Sequence, residues 1–382
     1  MPLMPPMKRR AAFLAVTAAM AAATAAWSGH ELPIYPSYYP QEIRVDTVAE
    51  GQAADLLLAS KIHAYVGGAP RFAAAPPDQI RAVESLGSFI VVSINPGSPL
   101  AGDEASACAV AGTLLRGLER SVADFVFHPY PVTPFHGDYL EHADLAEAAA
   151  ARWLGGAQTD QPTPKVKAEG ALARKLVPAK WQHDEGFDVA VEEVSAADLV
   201  AGAALATNAW LGPPWLRAGW FQAALILRDA AADPDKRSAI EADLARLKAA
   251  DYENAVERIN LARELVRLLT GGCRKVMAGY TVKREYFSAE YSDGIENVGF
   301  DAIEGLNSPI FIRTAKLKDF PWNGDLALGT PARPTSAWNP IAGFDDPFGR
   351  LLWSALGDPA LIPSPNDGAW MLNRASDVAA GR

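Results

Sequence analysis

Phe89-Ile90-Val91-Val92-Ser93-Ile94 is a nearly continuous apolar run, closed by Asn95-Pro96-Gly97. A strand that meets water on one face alternates polar and apolar residues. A run without alternation suits a strand covered on both faces. Upstream, Glu42 to Val48 does alternate and predicts a strand. Gln52 to His63 then carries Ala53, Leu56, Leu57 and Ser60 at helical spacing, and downstream Glu104 to Val122 predicts a helix. Strand, helix, strand, helix in that order predicts an α/β fold with a partly parallel sheet. A mixed α+β arrangement is the alternative.

Further along, Gly155-Gly156 opens a polar stretch to Gly170 containing Pro162 and Pro164, which reads as a linker or long surface loop. The middle of the chain is helical: Ala196 to Trp210, a second segment begun by Pro214, and a long one from Pro234 to Thr270. Asp233 precedes that last segment as an N-cap and Gly271-Gly272 stops it. Asp251-Tyr252 marks a bend or a second start. Lys275 to Phe287 returns to strand composition. From Asn307 onward, Pro, Gly, Trp and Asn predict loops and short strands lying over the body. The expected division is a leader over 1–26, an α/β lobe over 27–160, a helix-rich second lobe over 161–330 and a loop-rich segment over 331–382.

The leader rests on Lys8, Arg9 and Arg10 followed by the uncharged Ala11 to Ala26, which ends on the small residues Ala23-Thr24-Ala25-Ala26. A basic start, a short apolar run and a small-residue end form a secretory signal. About sixteen uncharged residues fall short of the roughly twenty needed to span a bilayer, so no stable span is expected after cleavage. Export through the twin-arginine route stays open beside the general one. The expected location is periplasmic or secreted.

The formal net charge of −10 argues against nucleic acid and anionic lipid as partners, since both need a basic face. Two cysteines, Cys108 and Cys273, are most simply a disulfide in an oxidising compartment. Neither has CxxC or CxxCH spacing.

Three stretches are candidates for chemistry. Half of the six histidines fall between His128 and His142, where His128, His136 and His142 lie near Asp138 and Asp144. Imidazole with carboxylate is a ligand chemistry for a divalent metal, although neither HxH nor HExxH spacing is present. Trp210, Trp215 and Trp220, with Trp322, Asn323, Trp338 and Asn339, fit a polar and aromatic cleft lining. The third is acidic: Glu285, Glu290, Asp293, Glu296, Asp301 and Glu304. It reads as a solvated face, because the order of an EF-hand calcium loop is absent. No GxSxG or SxxK occurs. The expectation is an exported soluble protein, non-catalytic, that binds a small-molecule solute or serves a partner envelope protein. The alternative is an exported metal-dependent enzyme using the His128–His142 loop.

Overall fold

The computed structural model describes residues 40–155, 163–206, 213–231, 233–318, 324–335, 346–357 and 359–373. The strands are β1 (Glu42–Thr47), β2 (Ala64–Tyr65), β3 (Ile80–Ile94), β4 (Phe125–Phe127), β5 (Val166–Glu169), β6 (Val189–Ser195), β7 (Lys275–Ser288), β8 (Ile295–Asn297), β9 (Lys316–Leu317), β10 (Asp325–Thr330), β11 (Leu361–Pro363) and β12 (Trp370–Leu372). The helices are α1 (Glu50–Leu58), α2 (Glu104–Gly117), α3 (Ala143–Leu154), α4 (Ala171–Leu176), α5 (Ala196–Ala206), α6 (Gly219–Leu227), α7 (Pro234–Ala249), α8 (Ala255–Thr270), α9 (Pro309–Thr314) and α10 (Pro347–Leu356).

The fold is α/β around one mixed eight-stranded sheet, in the order β1-β10-β2-β7-β3-β6-β5 with β4 also on β7. β1, β10 and β2 run parallel, as do β5 and β6; the pairs that involve β3 or β7 are antiparallel. Strands from either side of residue 160 therefore share this sheet. β7 is the hub. One edge follows β3 along nearly its whole length, and the other takes β4 at 279–281 and β2 at Phe287.

The apolar run of β3 is covered on both faces, as its composition predicts. Phe89 and Val91 pack with Trp220, Leu227, Leu244 and Leu265 of α6, α7 and α8. Ile90, Val92 and Ile94 pack on the opposite side with Val110, Leu114, Leu115 and Leu176 of α2 and α4. Each such buried side chain contributes about 1.5–3 kcal/mol of transfer free energy. α2 begins on Asp103, whose carboxylate accepts from the amides of Ala105 and Ser106 at 3.3 and 2.9 Å. It stops at Gly117 rather than Val122, with Leu118 extended at φ −64° and ψ 141°; at Gly117 the Trp181 ring lies 2.1 Å from where a Cβ would stand.

The long helical segment expected over 234–270 is two helices. Ala250 turns left-handed at φ +53°, and Asn254 caps the new start by accepting from the Glu257 amide at 3.0 Å. The segment begun by Pro214 is likewise split, a 3-10 turn at Pro214–Arg217 preceding α6. The C-terminal region holds α9 and α10 as well as short strands, since Pro309 and Pro347 stand at first helical positions, where the ring fits. Cys108 on α2 and Cys273 just ahead of β7 form a disulfide, their Cα atoms 4.9 Å apart. No helix among the described residues is long and apolar enough to cross a membrane.

Candidate functional site

A polar cavity opens where β3 is interrupted. The register of β3 on β7 shifts between Leu86 and Phe89. At that break Gly87 has no room for a side chain, since a Cβ would meet the Thr281 hydroxyl at 2.5 Å. Ser88 donates its amide to that same hydroxyl at 2.8 Å. Ser88 is paired across to Ser195, where β6 ends and α5 begins. This break, the start of α5, Lys283 of β7, the 301–307 turn and α10 enclose about 520 Å³. A narrower space of about 50 Å³ continues past Arg217, Ser308 and Ser354, and Glu304, Asn307, Pro347 and Arg350 line both.

Of the acidic cluster, Glu304 lines both spaces and Glu285 and Asp301 are buried, which corrects the solvated face expected for these three. The Glu285 side chain is 0% exposed and Asp301 1%. Glu285 accepts from the amides of Gly67 and Leu306 at 2.5 and 2.9 Å, and Lys283 lies 3.2 Å away. Asp301 pairs with Arg217 and accepts from the amides of Ile303 and Glu304, both at 2.8 Å. Glu304 is held above the usual carboxylate range by removal from water and by the charge of Asp301, against the pull of Arg350, Arg217 and Lys283. Glu290 is different. It caps a surface turn by accepting from the Ser292 hydroxyl and amide and the Asp293 amide, which holds it at about 2. Glu296 is exposed.

The histidine loop is organised otherwise. His128 donates from Nε2 to the Val132 carbonyl at 2.9 Å. His136 Nδ1 accepts from the Thr133 amide at 2.9 Å, so its proton is on Nε2, which donates to Gln222 Oε1 at 3.0 Å. His142 Nδ1 meets the Tyr130 hydroxyl at 2.9 Å. Asp138 caps α6 by accepting from the amides of Gly219 and Trp220, and Asp144 pairs with Arg263 at 2.7 Å. Burial lowers the pKa of all three histidines. The structure therefore spreads these residues over separate partners and does not bring the three imidazoles to one point. Among the described residues, the only three potential ligand atoms within 4.8 Å of one another belong to Glu104, Cys108 and Cys273, and both cysteines are in the disulfide.

Of the tryptophans, Trp215 and Trp220 line a second cleft of about 470 Å³ with Asp138, Tyr252 and the Glu141–Arg258 ion pair. Lys248 lies 5.4 Å from the Trp215 ring centre. Trp210, Trp322, Asn323, Trp338 and Asn339 lie outside the described residues. Sequence reasoning missed Arg217, Asn307 and Arg350, and it read Glu304 as part of a solvated face. The available signal was Ile295, Ile303 and Leu306, deeply buried residues set between the acids.

No family model and no curated protein matches the chain. Among solved structures it is similar to HbpA2 from Haemophilus parasuis at 10% identity and a TM-score of 0.39, over 66% of this chain and 54% of that one. It is similar to Haemophilus influenzae OppA in complex with RPPGFSPFR at 11% identity and 0.35, over 70% and 56%. The third is the periplasmic EDTA-binding protein EppA, at 12% identity and 0.34, over 66% and 54%. The chain spans a little over half the length of these proteins.

Proposed function

We propose that this chain is an exported, non-catalytic protein that binds a small polar solute in the cavity between the β3 break and α10. One observation carries the reading. A space of about 520 Å³, within the usual range for small-molecule sites, is lined by charged side chains of both signs and by hydroxyls, drawn from five separate parts of the chain. Water alone does not require that arrangement, and a buried charge costs stability unless something pairs with it. The leader expected over 1–26 and the Cys108–Cys273 disulfide support the exported compartment.

The test uses the mature protein recovered from the envelope of an expressing cell. Its mass should place the N-terminus between Ala25 and His30. Native mass spectrometry, or thermal shifts across a library of polar solutes, should find a ligand that raises Tm. Ala201→Phe, which fills the cavity from α5, should abolish that shift with the fold retained. A ligand that binds the filled variant equally well would move the site elsewhere. A library that leaves Tm unchanged throughout would overturn the reading.

A further inference from the structure

We infer that the solute is a small zwitterion, its carboxylate held by Arg350 and its ammonium by Glu304 and the Asn307 Oδ1. The inference rests on the solute-binding reading above and narrows it to a substrate class.

The argument comes from matching every charge at the cavity with its partner. Arg217 is matched by Asp301, and Lys283 by Glu285, whose carboxylate two backbone amides also satisfy. Asp198, which also lines the cavity, is exposed and keeps its carboxylate in water. Two opposite charges that are partly withdrawn from water are left over. Neither Arg350 nor Glu304 makes a side-chain hydrogen bond or an ion pair within 4.0 Å among the described residues. They line the same two spaces yet do not join each other. The Asn307 Oδ1 on the same walls is buried with no hydrogen-bond partner.

The three leftovers define their complement. A guanidinium offers a planar fork of donors that fits a carboxylate. A carboxylate beside an amide oxygen offers acceptors only, which an ammonium with three donors satisfies. A simple acid would leave Glu304 and Asn307 unmatched, and a simple amine would leave Arg350 unmatched. A molecule carrying both groups satisfies all three.

Proton linkage adds an independent readout. The charged groups that bear on Glu304 are Asp301, which raises its pKa together with removal from water, and Arg350, Arg217 and Lys283, which lower it. An ammonium must displace the proton that this environment favours. Affinity should therefore rise with pH through the raised Glu304 value and fall below it.

The experiment is calorimetry on the full mature chain with free L-amino acids singly, each against its deaminated acid and its decarboxylated amine. At least one amino acid should bind 100-fold or more tightly than either counterpart. Glu304→Gln and Asn307→Leu should each weaken it tenfold or more, with circular dichroism and Tm confirming the fold, and Glu304→Gln should flatten the pH profile. An acid that binds as tightly as its amino acid, or an unchanged affinity in both variants, would overturn the zwitterion and leave solute binding standing. If no solute of any charge binds, both readings fall.

Discussion

The histidine loop and the polar cavity are both crowded with polar groups in the interior, and they differ in how those groups are matched. In the loop, His128, His136, Asp138 and Asp144 each have partners close by: a carbonyl, an amide, a helix start, an arginine. The loop also leaves the buried His142 Nε2 and Gln222 Nε2 without a hydrogen-bond partner. In the cavity, Arg350 and Glu304 stand unpaired on the walls of one open space, and the Asn307 Oδ1 is buried without a partner. Both regions leave buried polar atoms unmatched, but only the cavity leaves two opposite charges unpaired beside open space. The difference teaches that a run of reactive residue types in sequence marks polar density, whereas a candidate binding site is marked by unpaired charge next to a cavity.

The largest effect should come from the matched part of the cavity wall. Asp301→Ala strips the counter-ion from Arg217, which is only 12% exposed, and should cost roughly 3–5 kcal/mol in urea denaturation. A loss under about 1 kcal/mol would show that Arg217 finds another partner and would blur the comparison. In the loop, His136→Ala removes the acceptor of the Thr133 amide, the donor to Gln222 and a ring stacked 6.2 Å from Phe89. It should cost about 2–3 kcal/mol while leaving solute affinity within about twofold. A large affinity loss in a folded variant would erase the distinction between the two regions.

Acid should separate them as well. Burial lowers the His136 and His142 values below their usual 6.5, so each unfolded imidazole takes a proton more readily than the folded one. The stability they contribute is present above pH 6.5 and is lost as pH falls through the depressed values. Tm should decline from pH 7 to pH 5, less steeply in His136→Gln; an equal slope in that variant would move the acid sensitivity elsewhere. Glu304 has the opposite sign. Its raised value means that ionisation opposes folding as pH rises, so Glu304→Gln should gain up to about 1 kcal/mol at pH 8. A variant that is more stable and binds less would be the plainest sign that this carboxylate serves a ligand. The smallest effect belongs to Asp144→Asn. Arg263 holds the Asp144 carboxyl at about 2, yet the carboxylate is two-thirds exposed, and the pair should be worth under about 1 kcal/mol.

Much of the scaffold was legible because its signals are local. The run at 89–94, the Asp233 cap and the cysteine pair each announce themselves within a few residues, or by elimination. The cavity was not, because its pairs join distant parts of the chain: Arg217 with Asp301, the break at Gly87 with Thr281. Carboxylates in sequence read as surface, and nothing local shows that Glu285 meets the amide of Gly67. The split at Ala250 was only half visible, since Asp251-Tyr252 hinted at a stop while no glycine supplied the left-handed turn. The expected leader, residues 1–26, lies outside the described residues.

The place of β7 in the sheet has a consequence for how the chain reaches its final form. The strand occupies the middle of the order, yet it spans residues 275–288, and β10, which joins β1 to β2, follows at 325–330. A chain that emerges from a membrane channel N-terminus first would deliver β3, β6 and β5 as one block, with no strand yet to join it to β1 and β2. Long-range pairings of this kind are slow, because loop-closure entropy is spent before any contact repays it. The edge of β3 that β7 later takes would meanwhile stand unpaired, prone to pairing with other chains. Under the proposed export, a nascent chain of this topology would depend on being shielded until its last third has crossed, and arrest of translocation between β6 and β7 should yield a species far more sensitive to protease than arrest after β10.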